Sequence, residues 1–171
     1  MANYQRYIKK VHSLVISTGS NMGDRMQNLE SAAGLVEAGI GAIRKSSSVY
    51  ESGAWGYRSE RLYYNQCHEL ATGLSPAGCM ARILEIERSM GRVRTGRGYS
   101  DRIIDIDILF YDDLVLNREN LTIPHGRMLE RKFVLIPLAE ILPERKHPLA
   151  GKPVRELLEL CSDGQEPVKV S

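Results

Sequence analysis

One short segment of the chain has an alternating pattern that is typical of a β-strand with two unlike faces. Residues 103–111 are Ile-Ile-Asp-Ile-Asp-Ile-Leu-Phe-Tyr. Successive side chains of a strand point to opposite faces, so Asp105 and Asp107 are expected to share one face. The opposite face is expected to pack on the core through Ile104, Ile106, Ile108 and Phe110.

Two carboxylates on one strand face need a positive partner. Asp105 and Asp107 would lie roughly 7 Å apart along the strand, where they repel each other unless a cation lies between them. Mg²⁺ usually takes one or two carboxylates and completes its shell with water and phosphate oxygens. The simpler interpretation is a solvent-exposed edge strand, but Asp has a poor strand propensity. The pair therefore indicates a metal site with Asp105 and Asp107 as ligands.

A basic segment comes directly before this acidic strand. From Arg88 to Arg102 there are five arginines and one acidic residue, whereas Asp105 to Asp113 contains four aspartates and no cation. Guanidinium groups bind phosphate oxygens, and metal ions neutralise the charge of a transferred phosphoryl group. A solvated basic loop is the simpler interpretation, but the neighbouring carboxylates favour a nucleoside triphosphate site.

The same segment contains a sequence that resembles a P-loop, and we reject that interpretation. Residues 91–97 have the form G-x-x-x-x-G-R, with Arg97 where a P-loop requires Lys and Gly98 where it requires Ser or Thr. The segment also follows a predicted helix, whereas a P-loop follows a strand.

The order of predicted elements indicates the fold class. Periodicity and turn residues predict strands and helices in the order β-α-β-β-α-β, with strands at 11–18, 42–51, 61–72 and 103–111, a helix ending near 37, and a helix from Ser75-Pro76 to Gly91. Two short helical stretches follow within 127–160. This order predicts an α+β, ferredoxin-like βαββαβ sandwich, with helices on one face of an antiparallel sheet and a C-terminal helical extension. We expect a single domain over 1–171, with its core at about 11–160.

Composition excludes several other classes of protein. The 171 residues are 43% hydrophobic and 26% charged, which excludes a disordered chain, a collagen-like chain and a disulfide scaffold. No apolar run is long enough for a membrane span, and the first residues lack the apolar core of a signal peptide. The three cysteines are expected to be reduced thiols of a cytoplasmic protein. A net charge of +2 argues against a general polyanion binder.

Two further residues are weaker candidates when each is taken alone. His125 ends the run Leu121-Thr122-Ile123-Pro124-His125 and has the chemistry to donate to a phosphate, but a lone His is more often structural. Asn65, on the third strand, carries an amide that both donates and accepts, as the edge of a heterocycle does. A lone Asn at such a position is more often an ordinary sheet residue.

Taken together, these motifs resemble the 6-hydroxymethyl-7,8-dihydropterin pyrophosphokinase family of folate biosynthesis, over about residues 11–160. The motifs that carry the resemblance, in chain order, are Gly19-Ser20-Asn21-Met22-Gly23-Asp24-Arg25, Ser48-Val49-Tyr50-Glu51, Tyr64-Asn65, Gly91-Arg92, Asp101-Arg102-Ile103-Ile104-Asp105-Ile106-Asp107, Leu121-Thr122-Ile123-Pro124-His125 and Arg131-Lys132-Phe133-Val134-Leu135-Ile136-Pro137-Leu138.

The resemblance implies a magnesium-dependent transfer of pyrophosphate from ATP to the hydroxymethyl group of the pterin, giving AMP and the pterin diphosphate. It assigns two Mg²⁺ ions to Asp105 and Asp107, and it makes Arg92, Arg102, Asp105 and Asp107 the catalytic residues. ATP and the hydroxymethyl pterin would be the substrates. We expect a monomer that binds neither nucleic acid nor a membrane.

The resemblance also assigns residues to each substrate. The residues expected to bind ATP are Arg92, Arg94, Arg102, Ile108, Thr122, His125 and Arg131. The residues expected to bind the pterin are Ser52, Gly53, Trp55, Tyr63, Asn65, Tyr99 and Phe133. Tyr99 departs from the family pattern, because many members have a Trp there, and many members have Gly-Pro where this chain has Ser100-Asp101.

Two other functions remain open from the sequence. A ferredoxin-like RNA-binding module is disfavoured by the slight net charge, the 6% aromatic content and the lack of an aromatic RNA-binding pattern on the strands. A metal-dependent phosphohydrolase would use the same pair of aspartates. Formation of AMP without a pterin acceptor would favour that hydrolase.

Overall fold

The fold is built on a central strand that pairs on both sides. In the computed structural model, which describes residues 10–92 and 100–170, strand β1 (His12–Ser20) pairs antiparallel with β4 (Tyr63–Thr72) on one side and with β5 (Asp105–Tyr111) on the other. Strand β5 ends this path of the sheet. The α+β class and the antiparallel sheet with helices, both predicted from the sequence, are therefore confirmed.

The second predicted strand is divided into two. The sequence predicts one strand at 42–51, but the structure has β2 (Gly41–Ser46) and β3 (Tyr50–Ser52), which pair with different parts of β4. Ser47 lies at the break, and its hydroxyl accepts a hydrogen bond from the backbone N–H of Cys67 at 3.0 Å. Serine side chains compete with strand pairing for backbone groups in this way, which explains the interruption.

Two capped helices cover the first face of the sheet. Helix α1 (Arg25–Gly39) begins after Asp24, whose side chain accepts from the N–H of Gln27 at 3.0 Å. Helix α2 (Pro76–Ser89) begins after Ser75, whose side chain caps the N–H of Gly78, as the Ser-Pro pair predicts. The core under these helices includes Leu14, Ile16, Leu29, Val36, Ile83, Ile106 and Ile108.

The C-terminal extension covers the second face of the sheet. Helices α3 (Lys132–Ile141) and α4 (Val154–Glu159) pack there, so the expectation of helices on one face describes only the βαββαβ part. The buried residues of this second core include Val15, Cys67, Leu109, Phe110, Leu135, Leu138, Val154 and Leu157.

A bulge in β5 places Phe110 on the face opposite to the one expected. Val15 pairs with Phe110 while Ile16 pairs with Ile108, so Leu109 is an extra residue in the ladder. An extra residue reverses the alternation of the residues that follow it. The expected position of Phe110 beside Ile106 and Ile108 is therefore wrong, because Phe110 belongs to the second core.

The rest of the chain adds short elements. Strands β6 (Leu116–Arg118) and β7 (Leu121–Ile123) form a hairpin, and a 3₁₀ turn covers Met128–Glu130. A last strand, β8 (Val168–Lys169), pairs antiparallel with β3, so the main sheet continues past the core boundary expected near residue 160. Within the part of the chain that the structure describes, no helix has the length and apolarity to cross a membrane.

A pair of glycines at the α1–β2 junction tests this packing. A Cβ on Gly41 would overlap the backbone carbonyl of Ala71, whereas a Cβ on Gly39 would meet no atom within 4 Å. We expect Gly41→Ala to lower the free energy of unfolding by about 1–3 kcal/mol, because backbone cannot move aside as a side chain does. The control Gly39→Ala should be neutral or stabilising, by up to about 1 kcal/mol. Urea unfolding of both variants checks this, and equal stabilities would contradict it.

Candidate active site

Strand register brings the candidate residues into one row across the sheet. Gly19 on β1 pairs with Asn65 on β4 and with Asp105 on β5, and Ser17 pairs with Asp107. Paired residues point to the same face, so these side chains lie together on the second face of the sheet. Gly19 leaves space in the middle of the row, where a Cβ would lie 3.2 Å from Asn65 Oδ1.

A first cleft of about 510 Å³ lies above this row. Six of the seven residues predicted to bind the pterin line it, namely Ser52, Gly53, Trp55, Tyr63, Asn65 and Phe133. The seventh, Tyr99, lies outside the described residues. Ser17, Gly19 and Tyr57 also line the cleft, and the sequence analysis did not include them as site residues. The pairing of Ser17 and Gly19 with the two aspartates is the signal that would have found them.

Two aromatic rings and one guanidinium line two walls of the first cleft, with Trp55 on one wall and Arg131 and Phe133 on the other. The guanidinium carbon of Arg131 lies 4.6 Å from the ring centre of Trp55 and 5.7 Å from that of Phe133. A guanidinium over an aromatic face is attracted by the ring's negative face. Arg131 is almost fully buried, so the contact between the two walls is well packed, and the rings offer flat surfaces to a planar ligand.

Asn65 is held rigidly on the floor of the same cleft. It is 2% exposed, and its Nδ2 donates to Ser52 Oγ at 2.8 Å. The hydroxyl of Ser52 in turn donates to the carbonyl of Gly53. This chain of hydrogen bonds fixes which way the Asn65 amide points.

A second, larger cleft of about 1410 Å³ lies beside the first, along the outer edge of β5. Six residues predicted to bind ATP line it, namely Arg92, Arg102, Ile108, Thr122, His125 and Arg131. The seventh, Arg94, lies outside the described residues. Asp105, Asp107, Arg102 and Arg131 line both clefts, so the two carboxylates lie where the clefts meet.

The two carboxylates at this junction are balanced differently. Asp105 accepts from Arg102 Nη1 at 2.7 Å and also from Arg92. Arg92 is held in turn by Glu87, which is buried and accepts from the N–H of Ile106 at 2.9 Å. Asp105 is therefore neutralised by two guanidinium groups.

Asp107 lacks such close compensation among the contacts of the described residues. Its nearest ion-pair partner is His125 Nε2, at 3.9 Å from Oδ2. Desolvation and then repulsion from Asp105 raise the pKa of Asp107 to about 7. The junction thus holds a carboxylate whose charge is only partly compensated.

His125 is uncharged at neutral pH. Desolvation and then the positive charge of Arg131 lower its pKa to about 4. Its Nδ1 accepts from the backbone N–H of Arg127 at 3.3 Å, which leaves the ring proton on Nε2. The ring therefore presents one N–H donor at the edge of the second cleft.

The donor set at the junction fits Mg²⁺. Asp105 and Asp107 supply hard oxygen ligands, and the residues described by the structure contain no group of three or more His, Cys, Asp or Glu side chains suited to a metal. Mg²⁺ accepts a site of this kind, because it completes its octahedron with water and with substrate phosphates.

A carboxylate missed by the sequence analysis joins the loops around the first cleft. Asp101 Oδ1 accepts from Ser59 Oγ at 2.8 Å, from Asn21 Nδ2 at 2.8 Å and from Tyr57 OH at 3.1 Å. Asn21 Oδ1 also accepts from the N–H of Arg102 at 2.7 Å. The sequence signal for this cluster was that Ser100-Asp101 stands where many family members have Gly-Pro. Asp101 is the residue around which the cluster forms.

Comparison with known proteins gives the same family for most of the chain. Residues 15–143 match the family described as 7,8-dihydro-6-hydroxymethylpterin-pyrophosphokinase. A Synechocystis 2-amino-4-hydroxy-6-hydroxymethyldihydropteridine pyrophosphokinase is 38% identical over 153 residues, which are 88% of this chain and 77% of that protein. A protein of the same name from Aquifex aeolicus is 35% identical over 144 residues, which are 84% of this chain and 89% of that protein.

Other relatives are much longer than this chain. A folic acid synthesis protein of Dictyostelium discoideum is 40% identical over 133 residues, 78% of this chain but only 20% of that protein. The crystal structure of Plasmodium falciparum HPPK-DHPS with pteroate superimposes with a TM-score of 0.75 at 18% identity, covering 88% of this chain and 44% of that one. This structural likeness supports the fold alone.

The Asp101 cluster generates a prediction about pH. Hydrogen bonds, above all from Ser59, hold the pKa of Asp101 below its ordinary value. Its contribution to stability is therefore present above the unfolded-state pKa of about 3.9 and is lost as pH falls through the folded-state pKa. We expect Asp101→Asn to lower the free energy of unfolding by about 1 kcal/mol at pH 6.

At pH 3 or below, the difference in free energy of unfolding between wild type and Asp101→Asn should shrink. The wild-type carboxyl is then becoming protonated, and it loses its charge, as the amide has none. Urea unfolding at both pH values measures it. Asp113→Asn, at a carboxylate that is 89% exposed, is the control and should show little difference at either pH. A difference for Asp101→Asn that is the same at both pH values would contradict the assignment.

Proposed function

Since the chain belongs to the 7,8-dihydro-6-hydroxymethylpterin-pyrophosphokinase family, whose members use ATP and act in folate biosynthesis, we propose that it transfers a diphosphate group from ATP to the hydroxymethyl group of 6-hydroxymethyl-7,8-dihydropterin. The products are AMP and the pterin diphosphate. The observation that carries this proposal is the meeting of two unlike clefts at Asp105 and Asp107.

The first cleft suits a planar heterocycle. Asn65 has both a donor and an acceptor for the edge of a pterin, and its fixed amide selects one orientation. The rings of Trp55 and Phe133 supply flat apolar surfaces for stacking. Ser52, Gly53 and Tyr63 complete the proposed pterin site, together with Tyr99 on the family pattern.

The second cleft suits a polyphosphate. Arg102 and Arg131 line both clefts at the junction, and Arg92 and the Nε2–H of His125 add donors in the second cleft. Ile108 and Thr122 line the same cleft, where an adenine and a ribose would extend away from the junction. Arg94 belongs to this proposed site on the family pattern alone.

The proposed reaction is an in-line displacement at the junction. The hydroxymethyl oxygen forms a bond to the β-phosphorus, the bond from that phosphorus to the oxygen bridging to the α-phosphate breaks, and AMP leaves with the electron pair. The hydroxyl proton passes to a carboxylate of the junction. Catalysis then depends mainly on alignment of the two substrates and on neutralisation of charge by Arg92 and Arg102.

Asp105 and Asp107 are the proposed ligands of two Mg²⁺ ions. When bound, the ions would neutralise the negative charge that develops on the transferred group. In the structure Arg92 and Arg102 hold Asp105, so we expect both guanidinium groups to shift toward the phosphates when Mg-ATP binds.

The described part of the chain gives less support to an RNA-binding module. Such modules present an open sheet face to single-stranded bases, whereas helices α1 and α2 cover one face of this sheet and α3 and α4 pack on the other. Among the described residues, the two clefts interrupt this cover on the second face.

We also propose a single-domain monomer that acts in the cytoplasm and binds neither nucleic acid nor a membrane. One relative, a folate synthesis bifunctional protein of Arabidopsis thaliana that is 37% identical over 131 residues, is named mitochondrial.

The first test is the effect of Asp107 on AMP formation. With Mg-ATP and the hydroxymethyl pterin, we expect Asp107→Ala to reduce turnover at least about a hundredfold while the protein remains folded, because a charge-stabilising group at the junction is lost. Asp113→Ala, near the far end of β5, is the control and should keep wild-type turnover. Near wild-type turnover in Asp107→Ala would disprove the metal assignment, and AMP formed equally without pterin would indicate a hydrolase.

The second test separates the two clefts. We expect Asn65→Ala to weaken binding of the pterin about tenfold or more, because the substituted site loses a fixed donor and acceptor, while binding of an ATP analogue changes little. Isothermal titration calorimetry with each ligand measures both affinities. Asn65→Asp, which keeps the shape but replaces the amide donor, should also weaken the pterin selectively. Equal losses for both ligands would count against a pterin-site role of Asn65.

A further inference from the structure

The last described residues of the chain return to the walls of the first cleft. Residues 163–170, here called the C-terminal strap, come after α4 and lie beyond the part of the chain, 15–143, that matches the family. Family resemblance therefore assigns no role to them. Among the described residues, the strap side chains that contact the segments of the cleft walls are Asp163, Gln165 and Glu166, of which Asp163 and Gln165 bond to backbone groups of those segments.

Asp163 caps helix α3 from a distance in the sequence. The residue before the helix, Arg131, makes no side-chain capping bond, but Asp163 Oδ2 accepts from the N–H of Lys132 at 3.0 Å. A carboxylate at a helix N-terminus is favoured by both the free N–H groups and the helix dipole. The side chain of Lys132 also pairs with Glu166 of the strap.

Gln165 holds the opposite wall. Its Nε2 donates to the carbonyl of Ala54 at 3.1 Å, and its amide lies where a Cβ on Gly53 would be in ordinary contact, at 3.7 Å. Asp163 Oδ1 accepts from the N–H of Gln165 at 3.1 Å, so the two anchoring side chains are fixed to each other.

These two anchors lie behind the two walls of the first cleft. Gly53 and Trp55 line one wall, next to Ala54, and Arg131 and Phe133 line the other, on either side of Lys132. The stack of Trp55, Arg131 and Phe133 spans the same two segments. The strap is therefore a bridge between the segments that carry the stacking rings.

The far end of the strap is fixed as well. Strand β8 pairs with β3, through Tyr50 with Lys169 and Glu51 with Val168, and the N–H of Val170 donates to the carbonyl of Val49 at 2.8 Å. Little apolar surface is buried in return, because Val168 is 66% exposed. The strap is thus attached to the cleft chiefly by polar groups and contributes little to either core.

We propose that the C-terminal strap is a positioning element of the first cleft, in which Asp163 and Gln165 set the spacing between the Trp55 wall and the Phe133 wall and so the affinity for the planar substrate. The identity of the planar substrate rests on the proposed function. The role of the strap in positioning the two walls does not depend on that function, and the fluorescence experiment below tests this role without a ligand.

Three variants separate positioning from simple stabilisation. Asp163→Ala removes both acceptors, Asp163→Asn keeps one oxygen for the cap of α3 but loses the acceptor for the N–H of Gln165, and Gln165→Glu keeps the shape but removes the donor to Ala54. Glu159→Gln, on the exposed side of α4, is the control. Thermal unfolding of each variant establishes that the fold is retained.

The ligand-free readout is the fluorescence of Trp55, the single tryptophan of the chain. We expect acrylamide to quench it more strongly in Asp163→Ala and Gln165→Glu than in wild type, to an intermediate extent in Asp163→Asn, and to the wild-type extent in Glu159→Gln. Quenching at the wild-type level in both of the first two variants overturns the proposal.

The kinetic readout is the split between KM and kcat. For Asp163→Ala and Gln165→Glu we expect KM for the pterin to rise about fivefold, the ratio that one lost hydrogen bond gives, with kcat and KM for ATP within about twofold. Asp163→Asn should raise KM for the pterin less than Asp163→Ala does. A fall in kcat with KM for the pterin unchanged overturns the proposal. If the wild type does not turn over the pterin, the proposed function fails, and the quenching result alone decides the role of the strap.

Discussion

The candidate site depends on how the charge of two neighbouring carboxylates is balanced. Asp105 and Asp107 lie two residues apart on one strand, where they repel each other, and the protein neutralises them unequally. Arg92 and Arg102 hold Asp105, while Asp107 faces a neutral histidine and has a raised pKa. A divalent cation supplies the missing positive charge to the carboxylates, and the polyphosphate that it accompanies supplies negative charge to the arginines. The near-neutral total charge thus conceals two opposed local charges that need a common ligand.

Local sequence patterns were sufficient to predict the strand and the helix that position these charged residues. The alternation at 103–111 predicts the β5 strand and the shared face of its aspartates, and Ser75-Pro76 predicts the start of α2. Both signals act over a few residues, where strand periodicity and helix capping dominate. The family motifs extended this reading to the residues that line the clefts, although their roles remain proposals.

The features that were not predicted depend on contacts between residues far apart in the sequence. The break between β2 and β3 depends on a bond from Cys67 to Ser47, and the cluster around Asp101 joins three separate loops. Strand β8 has only two residues and is defined by its pairing with β3, so its own sequence contains almost no strand signal. Periodicity cannot report such contacts, because each partner looks like an ordinary polar residue until the fold brings it to the other.

The bulge at Leu109 changes which residues of β5 point to each face of the sheet. Before the bulge, Asp105 and Asp107 point to the clefts, and after it Phe110 points to the second core on the same side of the sheet. One strand can therefore supply a polar site and an apolar core to a single face. It also means that the bulge itself is under a constraint separate from composition, since pairing the same residues without a bulge would turn either the carboxylates or the ring to the other side of the sheet.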